Sequence, residues 1–185
     1  MACGLSLILA SRASPETKSS GAGDRARSFY FRHSTLTGPP GTLLRAAPLT
    51  TSSGTTVRVD GARSLRLLYE TQDAAGRTRI SGGMAFSPIT HAPRGGRSFV
   101  AWAHPTRRPA NVAPSSSREP LQGMEPWLGA MLRRGWIVVA TDYAGLRTPG
   151  TQRYLSGNDE ANDVVDSVRA VRHVVGARAG KDWVA

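Results

Sequence analysis

Residues 126–185 constrain the fold of this chain more than any other stretch. Pro126 opens a segment carrying Trp127, Leu128, Met131 and Leu132 at helical spacing, Gly135 closes it, and the apolar run WIVVAT (136–141) follows at once. A longer periodic segment comes next. Ala161, Val164, Val165, Val168, Val171, Val174 and Val175 form one helical stripe, with Asn158 or Ser156 as cap, and Asp159 and Glu160 in the first turn, where the helix dipole favours acids. Asp163, Asp166, Arg169 and Arg172 read as its solvent side, and Gly180 as the close of the helical region. The last residues, DWVA (182–185), read as the start of a further strand. Upstream, SFVAWAH (98–104) is another short apolar run suited to burial on both faces. Strand, helix, strand, helix, strand predicts an α/β domain with a parallel sheet covered by helices on both faces.

The chain ahead of this unit has a different grammar. Ser64–Tyr69 and Arg77–Phe86 read as two strands of an antiparallel hairpin turning at Asp73-Ala74-Ala75-Gly76. TGPPGTLLRAAPL (37–49) reads as an extended arm lying across the domain, because paired prolines and glycine impede regular structure. Residues 1–28 are read as a flexible leader, with an apolar run at Ala2–Ala10 that resembles a signal sequence but lacks a basic start. Residues 29–185 form the domain.

Composition removes several function classes. The net charge of +11 rests on arginine, since lysine occurs only at Lys18 and Lys181, and could signal an anionic partner. The arginines are scattered singly or in pairs and do not alternate with stacking aromatics, so nucleic acid is not the expected partner; a non-catalytic basic module engaging nucleic acid or a membrane surface is the alternative reading. One cysteine, Cys3, excludes an intramolecular disulfide and a cysteine-based zinc site. No run approaches the roughly 20 apolar residues of a membrane-spanning helix. GxGxxG and GxxxxGK[ST] are absent, so no nucleotide cofactor is expected. Nor does any carboxylate cluster join His33 or His91 at metal-ligand spacing, and His173 reads as a helix-end dipole contact.

Function in parallel α/β sheets sits at the carboxyl ends of strands, which directs attention to His104-Pro105-Thr106 and to Asp142-Tyr143-Ala144-Gly145-Leu146. His104 could be a base, a support for an oxyanion site, or a loop-shaping hydrogen-bonding residue, the last being favoured because no serine or cysteine is placed beside it. Asp142 could be a general acid or ligand, but an Asp closing a buried strand more often caps the following turn through backbone N–H groups.

These loops carry a resemblance. In order and spacing, PGTLLRAAPL (40–49), LLYETQDAAGRTRISGGMAFSP (67–88), VAWAHPT (100–106) and VVATDYAGLRTPGTQRYLSGNDEANDVVDSVRAVR (138–172) resemble the amino-terminal part of the secretory lipase family of α/β-hydrolases. The resemblance implies a carboxylic ester hydrolase acting on acylglycerols, secreted, needing no cofactor or metal, with oligomeric state unspecified. It implies that Thr106 offers its backbone N–H to the oxyanion with His104 supporting, and that Asp142, Tyr143 and Gly145 shape the neighbouring loop. Three positions depart from the family pattern: Pro105 where glycine is common, Arg147 for a second glycine, and Val112 for a cysteine. The family's nucleophile is the Ser of a GxSxG elbow after the strand that DWVA begins. GxSxG does not occur in these residues, so the resemblance implies a truncated amino-terminal part without the catalytic triad, inactive alone.

Overall fold

A computed structural model describes residues 29–30, 36, 38–105, 121, 123–146 and 148–185. Its elements, in chain order, are β1 (Leu43–Pro48), β2 (Ala62–Gln72), β3 (Thr78–Pro88), β4 (Arg97–Trp102), α1 (Glu125–Arg133), β5 (Ile137–Thr141), α2 (Gly157–Val175), a 3₁₀ turn (Gly176–Arg178) and β6 (Ala179–Val184). They build one six-stranded sheet in the order β1-β2-β3-β5-β4-β6. The expected hairpin is β2–β3, antiparallel from Ala62↔Pro88 to Gln72↔Thr78. Beyond it, β3 joins β5 antiparallel, while β5, β4 and β6 run parallel, so the architecture is an antiparallel hairpin followed by parallel βαβ units.

Alternation along the strands explains the layers. Leu65, Leu67, Tyr69, Ala85, Phe99, Ala101, Ile137 and Val139 point to one face, where Val164, Val168, Ala170 and Val171 of α2 close over them. Met84, Phe86, Val138 and Ala140 point to the other, under Leu128 and Leu132 of α1. A strand with neighbours on both faces must be apolar at every position, which is why WIVVAT shows no alternation of its own. Burial of Val164, Val168 and Val171 contributes about 5 kcal/mol or more toward docking α2.

Three expectations need correction. The arm at 37–49 contains β1, which pairs antiparallel with β2 at the sheet edge from Leu43↔Tyr69 to Pro48↔Leu65. A proline ending an edge strand leaves its missing N–H harmless, so Pro48 does not prevent pairing. The second helix ends at Val175, capped by Gly176, and not at Gly180; Gly180 lies inside β6, which starts at Ala179, and sits against the Arg97 backbone. Asp163 and Asp166 are not on the solvent side: both are buried, at 3% and 1% exposure. The buried face of α2 is wider than its valine stripe because β2 supplies polar partners to the adjoining stripe. Thr71 Oγ1 donates to Asp166 Oδ2 at 2.9 Å, Tyr69 Oη donates to the Asp163 carbonyl at 2.9 Å, and Asn162 Nδ2 donates to the Gln72 carbonyl at 3.1 Å.

Several arginines are consumed by the fold. Buried Arg97 donates to the carbonyls of Gly135, Thr90 and His91 and to Thr90 Oγ1, tying the β3–β4 loop to the turn after α1. Arg172 lies over the Phe99 ring and donates to the Gly180 and Lys181 carbonyls, while Arg45 and Arg66 both face the Phe29 ring.

Candidate functional site

The register Trp102↔Ala140 places the carboxyl ends of β4 and β5 side by side, so His104 and Asp142 leave the sheet at the same edge. β6 is parallel to β4, with Val100↔Val184, and its carboxyl end reaches that edge too. This is where an α/β sheet presents its chemistry.

His104 is buried, and its Nδ1 lies 3.0 Å from the Pro105 carbonyl. A carbonyl only accepts, so Nδ1 carries a proton, which leaves Nε2 as the other ring nitrogen. That Nε2 is buried, without a hydrogen-bond partner among the described residues. The Tyr143 ring meets the imidazole edge-on, with centroids 4.9 Å apart, and Tyr143 Oη donates to the His104 carbonyl at 3.3 Å. Burial first, and then the charges of Glu160 and Asp163, push the Tyr143 hydroxyl up to about 12, so it remains a donor throughout the neutral range. The two candidate loops are thereby joined.

The Tyr143 loop is itself tightly held. Tyr143 sits at φ +65°, a left-handed conformation rare for an aromatic residue and costing on the order of 1 kcal/mol or more. Gly145 adopts φ +91°, and a Cβ there would lie 2.4 Å from the Gln152 backbone nitrogen, so this position accepts only glycine. Asp142 was expected to cap this turn. Instead the N–H groups of Tyr143, Ala144 and Gly145 go to Thr141 Oγ1 (3.1 Å), Asp163 Oδ2 (2.8 Å) and Thr148 Oγ1 (2.8 Å). Asp142 is fully buried, with its carboxylate beside Gly82 of β3.

Asp163 is the residue that sequence reasoning missed. Burial pushes its carboxyl up to about 7, against the lowering pull of the Ala144 N–H, Thr71 and Ser81, with nearby Asp166 adding to the rise. Its Oδ1 has no partner at hydrogen-bond geometry among the described residues. The available signal was the spacing of Asp159, Asp163 and Asp166, one helical stripe beside Val164, Val168 and Val171.

Thr106, Val112 and Arg147 lie outside the described residues, as do His33 and the leader. Among the described residues there is no group of three or more His, Cys, Asp or Glu side chains arranged to hold a metal ion, and no helix long and apolar enough to cross a membrane.

Comparison with known proteins supplies the context. No curated protein matches the chain. Among solved structures, the chain is similar to the rice cell wall degrading esterase LipA from Xanthomonas oryzae, with 23% identity, a TM-score of 0.55, and coverage of 75% of this chain and 39% of that one. It is also similar to Candida antarctica lipase A (17% identity, TM-score 0.53, coverage 74% and 32%) and to a putative hydrolase from Legionella pneumophila (19%, 0.51, 75% and 41%). The chain thus spans about two fifths or less of the length of these proteins, and at these identities the likeness establishes the fold. The sequence pattern of the secretory lipase family matches residues 121–180, from α1 to the start of β6. Residues 121–180 thus resemble secretory lipases in sequence, and the chain has the α/β-hydrolase fold seen in these lipase and esterase structures.

Proposed function

We propose that these residues form the oxyanion side of a secreted, secretory-lipase-type carboxylic ester hydrolase whose substrates are acylglycerols or related esters. The observation that carries the reading is the junction of two loops at the carboxyl edge of β4 and β5, where Tyr143 grips the His104 carbonyl just ahead of Thr106. In acyl transfer the carbonyl oxygen becomes an oxyanion, and a fixed N–H directed at it stabilises the transition state more than the ground state. The Thr106 backbone N–H is the proposed donor, and Pro105 before it, lacking an N–H of its own, restricts the loop to φ near −65°. His104 fits a supporting role: its Nδ1–H is committed to the Pro105 carbonyl, so it shapes the loop rather than moving protons.

Ester hydrolysis by the acyl-enzyme route also needs a serine elbow, a base and an orienting acid. No GxSxG occurs in these 185 residues, so this stretch by itself is not expected to turn over an ester. Two measurements test the reading. The 185-residue chain with a short-chain p-nitrophenyl ester should hydrolyse no faster than buffer; turnover rivalling a complete esterase would overturn it. In a polypeptide where these residues precede a GxSxG segment, Thr106→Pro, which removes the proposed donor, should lower kcat by about 10²–10³ with little change in KM. An unchanged kcat would exclude Thr106.

A further inference from the structure

We propose that Asp163 is a positioning residue for the His104 loop, acting from α2 through the Ala144 N–H and the Tyr143 hydroxyl. The connection is continuous and short. Asp163 Oδ2 accepts the Ala144 N–H at 2.8 Å, Ala144 follows Tyr143 directly, Tyr143 Oη donates to the His104 carbonyl at 3.3 Å, and the two rings meet at 4.9 Å.

Each link limits the freedom of the next. Tyr143 holds a left-handed φ that an aromatic residue does not adopt unaided, and the surroundings must therefore determine it. Two side chains do so, Thr141 Oγ1 at the Tyr143 N–H and Asp163 Oδ2 at the Ala144 N–H. Only Asp163 comes from outside the loop and its strand. It is anchored in turn, because Tyr69 Oη bridges the Asp163 carbonyl (2.9 Å) and Thr141 Oγ1 (2.7 Å), which locks this turn of α2 to β2 and to the end of β5. The Asp163 carboxylate therefore occupies a fixed point on a rigid helix, and the loop takes its register from it.

The consequence lies at His104. A buried imidazole that donates from Nδ1 to the Pro105 carbonyl, with no partner for Nε2 among the described residues, is an arrangement that solvent exposure would disrupt, since both ring nitrogens then exchange partners with water. Holding it requires the Tyr143 ring against the imidazole and the Tyr143 hydroxyl on the backbone. If the Ala144 anchor is removed, Tyr143 can relax to an ordinary φ, its hydroxyl leaves the His104 carbonyl, and the ring is released to solvent.

The proposal builds on the oxyanion reading of the His104 loop, but its test reads the imidazole and not ester turnover, so the two can fail separately. The ¹⁵N-labelled 185-residue chain is compared with D163A, D163N and Y143F by long-range ¹H–¹⁵N correlation of the histidine rings, with His91 and His173 as internal references. In the wild type, His104 should appear as one neutral tautomer protonated at Nδ1. D163A and Y143F should both lose that signature in favour of the tautomer mixture of a solvent-exposed histidine, while backbone shifts of α1 and β6 stay in place. D163N keeps an oxygen acceptor for the Ala144 N–H and should retain the wild-type pattern; this rescue separates a positioning role from the general loss of a buried side chain. A His104 signature unchanged in folded D163A overturns the proposal. Should D163A not fold, Y143F, which leaves Asp163 in place, decides it: an unchanged signature there overturns the route through Tyr143.

Discussion

Replacing Asp163 by Asn should change how stability depends on pH, and the structure fixes both sign and size. The carboxyl sits at about 7 in the folded protein against 3.8 ordinarily, chiefly because burial disfavours its charged form. Between those values the folded state holds a proton that the unfolded state has released. Stability is therefore greatest below about pH 4 and falls as pH rises through 7. A difference of about 3 units at 1.36 kcal/mol each gives about 4 kcal/mol in all, of which roughly 3 kcal/mol is lost between pH 5 and pH 8. For a chain of this size that corresponds to a Tm decrease of about 6–12 °C. The ionisable groups facing Asp163 are Asp166 on its own helix, Tyr69 on β2 and Tyr143 in the loop. All of them are kept in D163N, so the difference between wild type and variant isolates the one carboxyl. Thermal melts across pH 5–8 should show the Asn variant gaining on the wild type as pH rises. A Tm difference that stays constant over that range would refute the assignment of a buried, proton-holding Asp163.

Three further outcomes follow from the packing and charge placement. Arg97→Met should lower stability by about 3 kcal/mol in urea unfolding, because the carbonyls of Thr90, His91 and Gly135 lose a charged donor in a buried setting; a change under 1 kcal/mol would show that water replaces it. Gly83→Ala should lower stability by about 2 kcal/mol or more and depress expression of folded chain, since its Cβ would lie 2.6 Å from the Ala140 carbonyl oxygen where β3 meets β5. Binding to single- or double-stranded DNA should be weak and unselective, as Arg97, Arg172, Arg79 and Arg77 are all engaged within the fold; a steep log-linear loss of tight binding with salt would support the basic-module alternative instead.

Apolar periodicity made the layers legible in the sequence. The run at 136–141 and the valines of α2 announce a doubly covered strand and its cover, and both lie where that pattern puts them. β1 was not legible, because an edge strand needs only one partner and tolerates the prolines that argue against a central one. The site was legible only in outline. That His104 and Asp142 share an edge follows from parallel topology, but which side chain serves which N–H does not. Asp142, adjacent in sequence, looked like the cap of its own turn, whereas Thr141, Thr148 and Asp163 divide the work. A contact across 19 residues, from Ala144 to Asp163, leaves no mark in local spacing.

The same helix stripe shows why charge at helical spacing is an ambiguous signal. Asp159, Asp163 and Asp166 could equally face water or line a seam, and the decision rests with β2 and its turn, which offer Thr71 to Asp166, the Ala74 N–H to Asp159, and Tyr69 to the backbone beside Asp163. A carboxylate in such a seam does not add stability above neutral pH; a buried ionisable group is frequently matched or exceeded in stability by a neutral replacement. Asp163 destabilises the fold as pH rises through 7, yet it holds the one N–H that sets the register of the Tyr143 turn. Its contribution is geometry. The two experiments on D163N separate these quantities: if the Asn variant is more stable at pH 8 and still keeps the His104 tautomer, the oxygen acceptor positions the loop and the charge is incidental. If it gains stability but loses the tautomer, the ionised carboxylate is what holds the loop, and the geometry at His104 varies with pH around neutrality.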